Sequence, residues 1–354
     1  MSWRSNKKSP GLVGLDIGSS SIKEVELKLH NGRYELASLA LDHLSPDTIV
    51  DGAIMDAPSV SAVIDKIFTG NKIAASSVAT SVSGHSVIVK RITVGASNEE
   101  ELETAIKQEA LQNIRFDLAE VNLNYYVLGP GAADGALDVL LLAVKKEKIQ
   151  GHTSVLAQAN KTPLVMDIDA FALQNAFEMN YEPPPDQTVA LLNIGASIMN
   201  INIARGGMPL FTRDVSVGGN QYTDVLQKEL DLSFEDAERL KMGQELPNVA
   251  RDAEAPHLRS VSELLLLEIQ KTFDFFRHTT AHESIDAIYL AGGTARIKGL
   301  MELLKSEFGV PVEVIDPFRK VQCNPAKFDP AFIAELGPRM TVAVGLALRS
   351  FDAA

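Results

Sequence analysis

The chain has 354 residues, 45% hydrophobic and 22% charged, with a formal net charge of −13. That balance suits two or three packed domains rather than a disordered chain, and the acidic excess excludes a broad nucleic-acid surface, which needs clustered Lys and Arg. The single cysteine, Cys323, excludes an internal disulfide and a Cys-rich metal site and points to a reducing, cytoplasmic compartment.

Residues 1–10 are basic through Arg4, Lys7 and Lys8, but no apolar stretch follows, so a flexible leader is expected rather than a signal peptide. Uninterrupted apolar runs such as Val139 to Val144 are too short to span a bilayer. Val13 to Leu27 reads as a hairpin: an apolar strand, Asp16, a turn at Gly18-Ser-Ser-Ser21 and an alternating second strand. Tyr34 to Asp42 follows as a third strand. Val60, Val63, Ile64, Ile67 and Phe68 then lie on one face of a helix, and Val78 to Ser83 returns as a strand before the turn Ser83-Gly84-His85. Ser86 to Pro163 forms a self-contained set. A strand runs to Val94, a helix from an Asn98/Glu101 capping box to about Ile114, strands over Val121 to Leu128 and Ala136 to Val144 join through Gly129-Pro-Gly131 and Asp134-Gly135, and a helix runs from Lys146 to Asn160. Leu164 to Asp169 resumes a larger sheet, with Asp169 placed to cap a helix from Ala170 to Met179.

Glu182-Pro-Pro-Pro-Asp186 breaks any strand or helix and separates two halves. The second half opens on Leu191 to Ala204, which repeats the first hairpin with Asn193 in the slot of Asp16, 177 positions earlier. A strand over Phe211 to Val217, the turn Gly218-Gly219, helices from about Asn220 and Ser233, and a polar loop from Gly243 to Pro256 follow. The helix from Val261 to Thr279 is apolar around much of its circumference and is expected to be buried between elements. Ile285 to Leu300 reads as a strand running through Gly292-Gly293 into a helix start, where backbone N–H groups and the helix dipole favour an anion. A small-residue helix from Met340 to Leu348 closes the chain. His278 and His282 stand four apart without accompanying carboxylates, so no metal site is expected there.

The order of these parts resembles the actin, Hsp70 and sugar-kinase superfamily, through Leu15-Asp-Ile-Gly-Ser-Ser-Ser21 with Lys23, Asp169-Ala-Phe-Ala-Leu173, Val217-Gly-Gly-Asn220 and Ala291-Gly-Gly-Thr294. Within it the chain is most similar to the PilM family of type IV pilus assembly proteins, itself similar to the cell-division protein FtsA. The resemblance covers nearly all of the chain from about Gly11. It implies an α/β, actin-like (ribonuclease H-like) two-domain ATPase fold with an FtsA-type 1C subdomain insertion. Subdomain 1A is expected at 11–85 and 164–185, 1C at 86–163, 2A at 186–220 and 285–338, 2B at 221–284, and a closing helix at 339–354.

The resemblance also implies roles. Gly18, Ser19, Ser20 and Ser21 would cradle phosphates through backbone N–H groups, with Lys23 as counter-charge and Asp16 holding Mg²⁺ directly or through water. Asn193, Gly195, Ala196 and Ser197 would face the same phosphates. Gly218, Gly219 and Asn220 would lie along ribose or phosphate, Glu268 and Lys271 would reach ribose and base, and Gly292, Gly293, Thr294 and Arg296 would contact adenosine. From their spacing alone, Glu268 and Lys271 also read as an ion pair along a helix. Asn193 stands where relatives carry an Asp, and an amide suits holding a phosphate better than helping to break one. Asp169 remains the weak catalytic candidate, so ATP binding with weak or absent turnover is expected.

The implied function is a cytoplasmic scaffold at the inner face of the inner membrane. It would grip the N-terminal peptide of a PilN-type inner-membrane protein between 1A and 1C and link it to other pilus inner-membrane and motor components, with no nucleic acid and only indirect membrane association. A small-molecule kinase of the superfamily is the first alternative, although the inserted block carries no catalytic Asp motif for a hydroxyl substrate. An FtsA-like membrane polymer is the second, although Arg349-Ser-Phe-Asp-Ala-Ala354 is too short and too acidic for a membrane-targeting helix.

Overall fold

The computed structural model describes residues 12–96, 98–131, 133, 135–280 and 284–351. The expectations for the leader 1–10, for Asp134, for His282 and for the last three residues lie outside the described residues. In chain order the elements are β1 (Leu12–Ile17), β2 (Ser21–His30), β3 (Arg33–His43), the short β4 (Ile49–Val50) and β5 (Ala53–Ile54), α1 (Ala57–Gly70), β6 (Ser77–Val82), β7 (Val87–Gly95), α2 (Glu99–Asn113), β8 (Val121–Pro130), β9 (Ala136–Lys145), α3 (Lys146–Gln158), β10 (Thr162–Ile168) and α4 (Asp169–Tyr181). The second half has β11 (Thr188–Ile194), β12 (Met199–Arg205), β13 (Met208–Val215), α5 (Gly219–Leu230), α6 (Phe234–Lys241), α7 (Ala255–Thr279), β14 (Ala287–Ala291), α8 (Leu300–Phe308), β15 (Val312–Val314), β16 (Val321–Gln322) and α9 (Pro330–Leu348).

Two compact units result, one of residues 1–82, 150–182 and 316–354, the other of 83–149 and 183–315. The first is built on a sheet of order β10-β6-β1-β2-β3-β16. Strand alternation divides β1 between two faces. Val13, Leu15 and Ile17 pack with Val60, Ile64, Ile67 and Phe68 of α1 and with Val155 and Leu156 of α3. Leu12, Gly14 and Asp16 point the other way, where α9 crosses so closely that a Cβ on Gly14 would lie 2.2 Å from the Ala343 carbonyl oxygen. Helix α9 with its following turn, Pro330–Phe351, is long and apolar enough to cross a membrane by length and composition, which short uninterrupted runs did not reveal; 72% of its apolar window is buried. It is a core helix, holding Met340, Ala343, Val344 and Ala347 against Val25 and Leu27 of β2 and Ala176 of α4.

The second unit repeats the plan. Its sheet runs β13-β12-β11-β14-β15, with β11, β12 and β13 antiparallel and β14 and β15 parallel additions, matching β3-β2-β1-β6-β10 strand for strand. The internal repeat seen in the hairpins therefore extends to five strands. A separate antiparallel sheet β7-β9-β8, covered by α2 through Leu102, Ile106 and Ala110, belongs to this unit. Helix α7 differs from expectation. Its Leu265, Ile269, Phe273 and Phe276 are buried, but Leu264, Leu267 and Phe275 are exposed, because only one face packs on the unit's core.

Candidate nucleotide-binding residues

The first hairpin closes with the Gly18 N–H donating to the Ser21 carbonyl at 3.1 Å. That N–H, expected to face a phosphate, is spent on the turn; the N–H groups of Ser19 and Ser20 have no backbone partner among the described residues. Asp16 and Lys23 are opposite in register, and Lys23 Nζ lies 3.0 Å from Asp16 Oδ2. Burial pushes the Asp16 carboxyl above its ordinary range, the Lys23 charge pulls it down, and the nearby negative charge of Asp169 pushes it up again. Asp169 is not a cap. Ile168 holds that position without a side-chain bond, and Asp169 is the first residue of α4, its Oδ1 accepting 2.6 Å from Ser81 Oγ. β6 and β10 run parallel with Ser81 opposite Asp167, which brings Ser81 beside the helix start.

The second hairpin closes in the same way, the Gly195 N–H donating to the Ile198 carbonyl at 3.0 Å. Around it three separate segments knit together. The N–H groups of Gly219 and Asn220 donate to the carbonyls of Gly195 and Ala196 at 2.9 and 2.8 Å, Thr294 Oγ1 donates to Gly195 O at 3.0 Å, and Asn220 Nδ2 to Ser197 Oγ at 3.2 Å. This close approach excludes side chains. A Cβ on Gly218 would sit 2.5 Å from Gly195 O, and one on Gly292, whose φ is +86°, 2.3 Å from Ile194 O. The segment after Gly292 is not a helix start: Gly293–Arg296 is a 3-10 turn with Arg296 exposed, and α8 begins only at Leu300.

Glu268 and Lys271 are not drawn to these turns. They pair with each other at 2.6 Å, while Arg213 reaches Glu268 at 3.7 Å and Thr272 Oγ1 at 3.2 Å. An equivalent Glu-x-x-Lys pair that sequence reasoning passed over does reach them. Lys241 Nζ, on a side chain only 9% exposed, donates to Thr223 Oγ1 at 2.8 Å and Gly219 O at 3.4 Å and pairs with Glu238, which also accepts from Thr223. Glu238 and Lys241 differ from Glu268 and Lys271 in following the Gly-Gly-Asn turn by one helix, a signal visible in the sequence.

Asn193 donates through Nδ2 to Asn200 Oδ1 at 2.8 Å, so its oxygen faces Gly292, 2.9 Å from where a Cβ there would lie. One of the two hydrogens of the Asn193 amide N–H₂ is thereby committed inside the sheet. Among the described residues no group of three or more His, Cys, Asp or Glu side chains gathers around a metal position. A nucleotide-bound Mg²⁺ needs no such group, since it keeps several waters and takes one or two carboxylates. Asp16 and Asp169, close enough in the first unit for the charge of one to raise the pKa of the other, fit that requirement.

Both sheets and their paired hairpins define the actin-like ATPase fold, and solved structures agree. The chain is similar to MreB5 of Spiroplasma citri bound to AMPPNP (12% identity, TM-score 0.54, 98% of this chain and 96% of that one) and to the ethanolamine utilization protein EutJ of Carboxydothermus hydrogenoformans (17%, 0.58, 95% and 88%). A family model described as type IV pilus assembly protein PilM matches residues 14–351, and the chain belongs to that family. It is 28% identical to a chain of the solved PilM-PilN type IV pilus biogenesis complex, with a TM-score of 0.88 over 98% of this chain and all of that one. It is also 25% identical over 248 residues, 62% of its length, to the cell division protein FtsA of Helicobacter pylori; it spans about half the length of the curated relatives it matches.

Proposed function

We propose that the chain is an ATP-binding scaffold of type IV pilus assembly that holds the N-terminal cytoplasmic peptide of a PilN-type inner-membrane protein. The observation that carries this reading is the full-length likeness to the PilM-PilN complex, in identity and in backbone together. The protein would act in the cytoplasm at the inner membrane, tethered through its partner and linked to further pilus components. Residues 86–163 would serve as the 1C subdomain and the peptide would lie against it, with strand-like backbone pairing and side-chain pockets.

In the nucleotide role, Ser19, Ser20 and Lys23 are candidates to hold phosphates, as are Gly195 to Ser197 and Gly218 to Asn220. Asp16 and Asp169 would hold Mg²⁺ through its waters, the ion supplying charge neutralisation. Glu238 and Lys241 would take the ribose and base role in place of Glu268 and Lys271, because Lys241 is bonded to the Gly219 carbonyl and paired with Glu238. Hydrolysis is weak or absent, since Lys23 partly neutralises Asp16 and the second hairpin offers an amide where a base would need a carboxylate.

Calorimetric titration with ATP and Mg²⁺, followed by phosphate release from the same sample, tests the nucleotide half. Saturable binding with negligible turnover is expected. Rapid turnover by the isolated protein, or no binding at millimolar ATP, contradicts it.

A further inference from the structure

Asn193, Asn200 and Asp214 form a lateral row on one face of three adjacent strands, each directly opposite the next in register. Asn193 Nδ2 donates to Asn200 Oδ1 at 2.8 Å, Asn200 Nδ2 donates to Asp214 Oδ1 at 2.8 Å, and the Gly84 N–H, at the entry to β7, donates to Asp214 Oδ2 at 2.5 Å. The direction of this chain follows from chemistry. An ionised carboxylate only accepts, so Asn200 must turn its N–H₂ toward Asp214 and its oxygen toward Asn193. Asn193 must then turn its own N–H₂ inward and present its oxygen at Gly292. Asn200 is buried, which makes an acceptor facing an acceptor costly there.

We infer that Asp214 is a positioning residue that sets which atom Asn193 presents to the nucleotide, and that the row tolerates one carboxylate only, here moved from the hairpin to β13. The inference rests on the nucleotide reading for its consequence, but not for its geometry. It explains why the second hairpin carries Asn. A carboxylate at 193 would turn the Asn200 amide around and leave its oxygen against Asp214. With Asn at 214 each of these three bonds can be made in the reversed direction or kept: position 193 accepts from Asn200 Nδ2, Asn200 Oδ1 accepts from the amide at 214, and the oxygen at 214 still accepts from the Gly84 N–H. The row also joins the second hairpin to the start of the β7-β9-β8 sheet, where Ser216 Oγ and a His85 ring nitrogen add a hydrogen bond of 2.9 Å.

The test is a cycle of Asn193→Asp, Asp214→Asn and the double variant in the full chain without nucleotide, read by thermal unfolding and by amide exchange at Gly84. Asn193→Asp is expected to lower the midpoint and Asp214→Asn to change it little. The double variant should recover most of the loss, with Gly84 exchange within threefold of the parent chain. If Asn193→Asp fails to fold, recovery of a folded double variant is the same rescue. Additive losses, a harmless Asn193→Asp, or a double variant no more stable than Asn193→Asp overturn the inference. ATP titration of the parent chain separates the two ideas: failure to bind removes the nucleotide reading and leaves the rescue to decide the row.

Discussion

Glu24 lies on β2, fully buried, with Ser38 Oγ donating to its Oε2 at 2.9 Å and no partner for Oε1 among the described residues. Burial pushes its pKa from an ordinary 4.5 up to about 8, the Ser38 bond opposing the shift. The folded protein therefore holds a proton on Glu24 at neutral pH that the unfolded chain releases. The stability associated with the protonated group is complete below pH 4.5 and is lost as pH rises to about 8. At 1.36 kcal/mol per pKa unit the loss is about 3 kcal/mol at pH 7 and about 5 kcal/mol above pH 9. Glu24→Gln keeps an oxygen for Ser38 and removes the ionisation, at a cost of about 1–2 kcal/mol for an amide N–H₂ without an acceptor. The variant should be slightly less stable than the parent at pH 4 and about 3 kcal/mol more stable at pH 9. Urea unfolding followed by far-ultraviolet circular dichroism from pH 4 to 9 measures both curves. Parallel curves would show that Glu24 does not hold a proton in the folded protein at neutral pH.

The two Glu-x-x-Lys pairs should separate cleanly: Lys271→Ala, in an exposed pair, should change stability by less than about 0.5 kcal/mol and leave ATP affinity unchanged. Lys241→Ala should cost about 1–2 kcal/mol by taking the ammonium from Thr223 and the part-exposed Glu238, and weaken ATP binding at least about tenfold, both checked by calorimetry. Gly292→Ala forces a side chain into positive φ against the Ile194 carbonyl, so it should cost about 3 kcal/mol or more in thermal or urea unfolding and abolish ATP binding.

Much of this was legible in the chain because local rules and global fold agree. Alternation with a Gly-centred turn defined both hairpins, and Asn98 does cap α2, accepting from the Glu101 N–H at 2.9 Å. What escaped depended on neighbours distant in sequence. Asp169 looked like a cap because nothing in the chain shows Ser81, 88 residues earlier, arriving beside it. The apolar circumference of α7 suggested full burial because composition does not say which face meets a sheet. The role of Asn193 was invisible without the register that aligns it with Asn200 and Asp214, since a lateral row across three strands leaves no periodic trace.

The central claim is tested most directly by titrating the chain with a synthetic PilN-type N-terminal peptide, in the presence of ATP and Mg²⁺, of ADP, and of no nucleotide, for the parent and for Asp16→Ala. Saturable peptide binding by the parent, strengthened by ATP, is expected, with the ATP dependence lost in Asp16→Ala. No binding up to high micromolar peptide in any nucleotide state would contradict it.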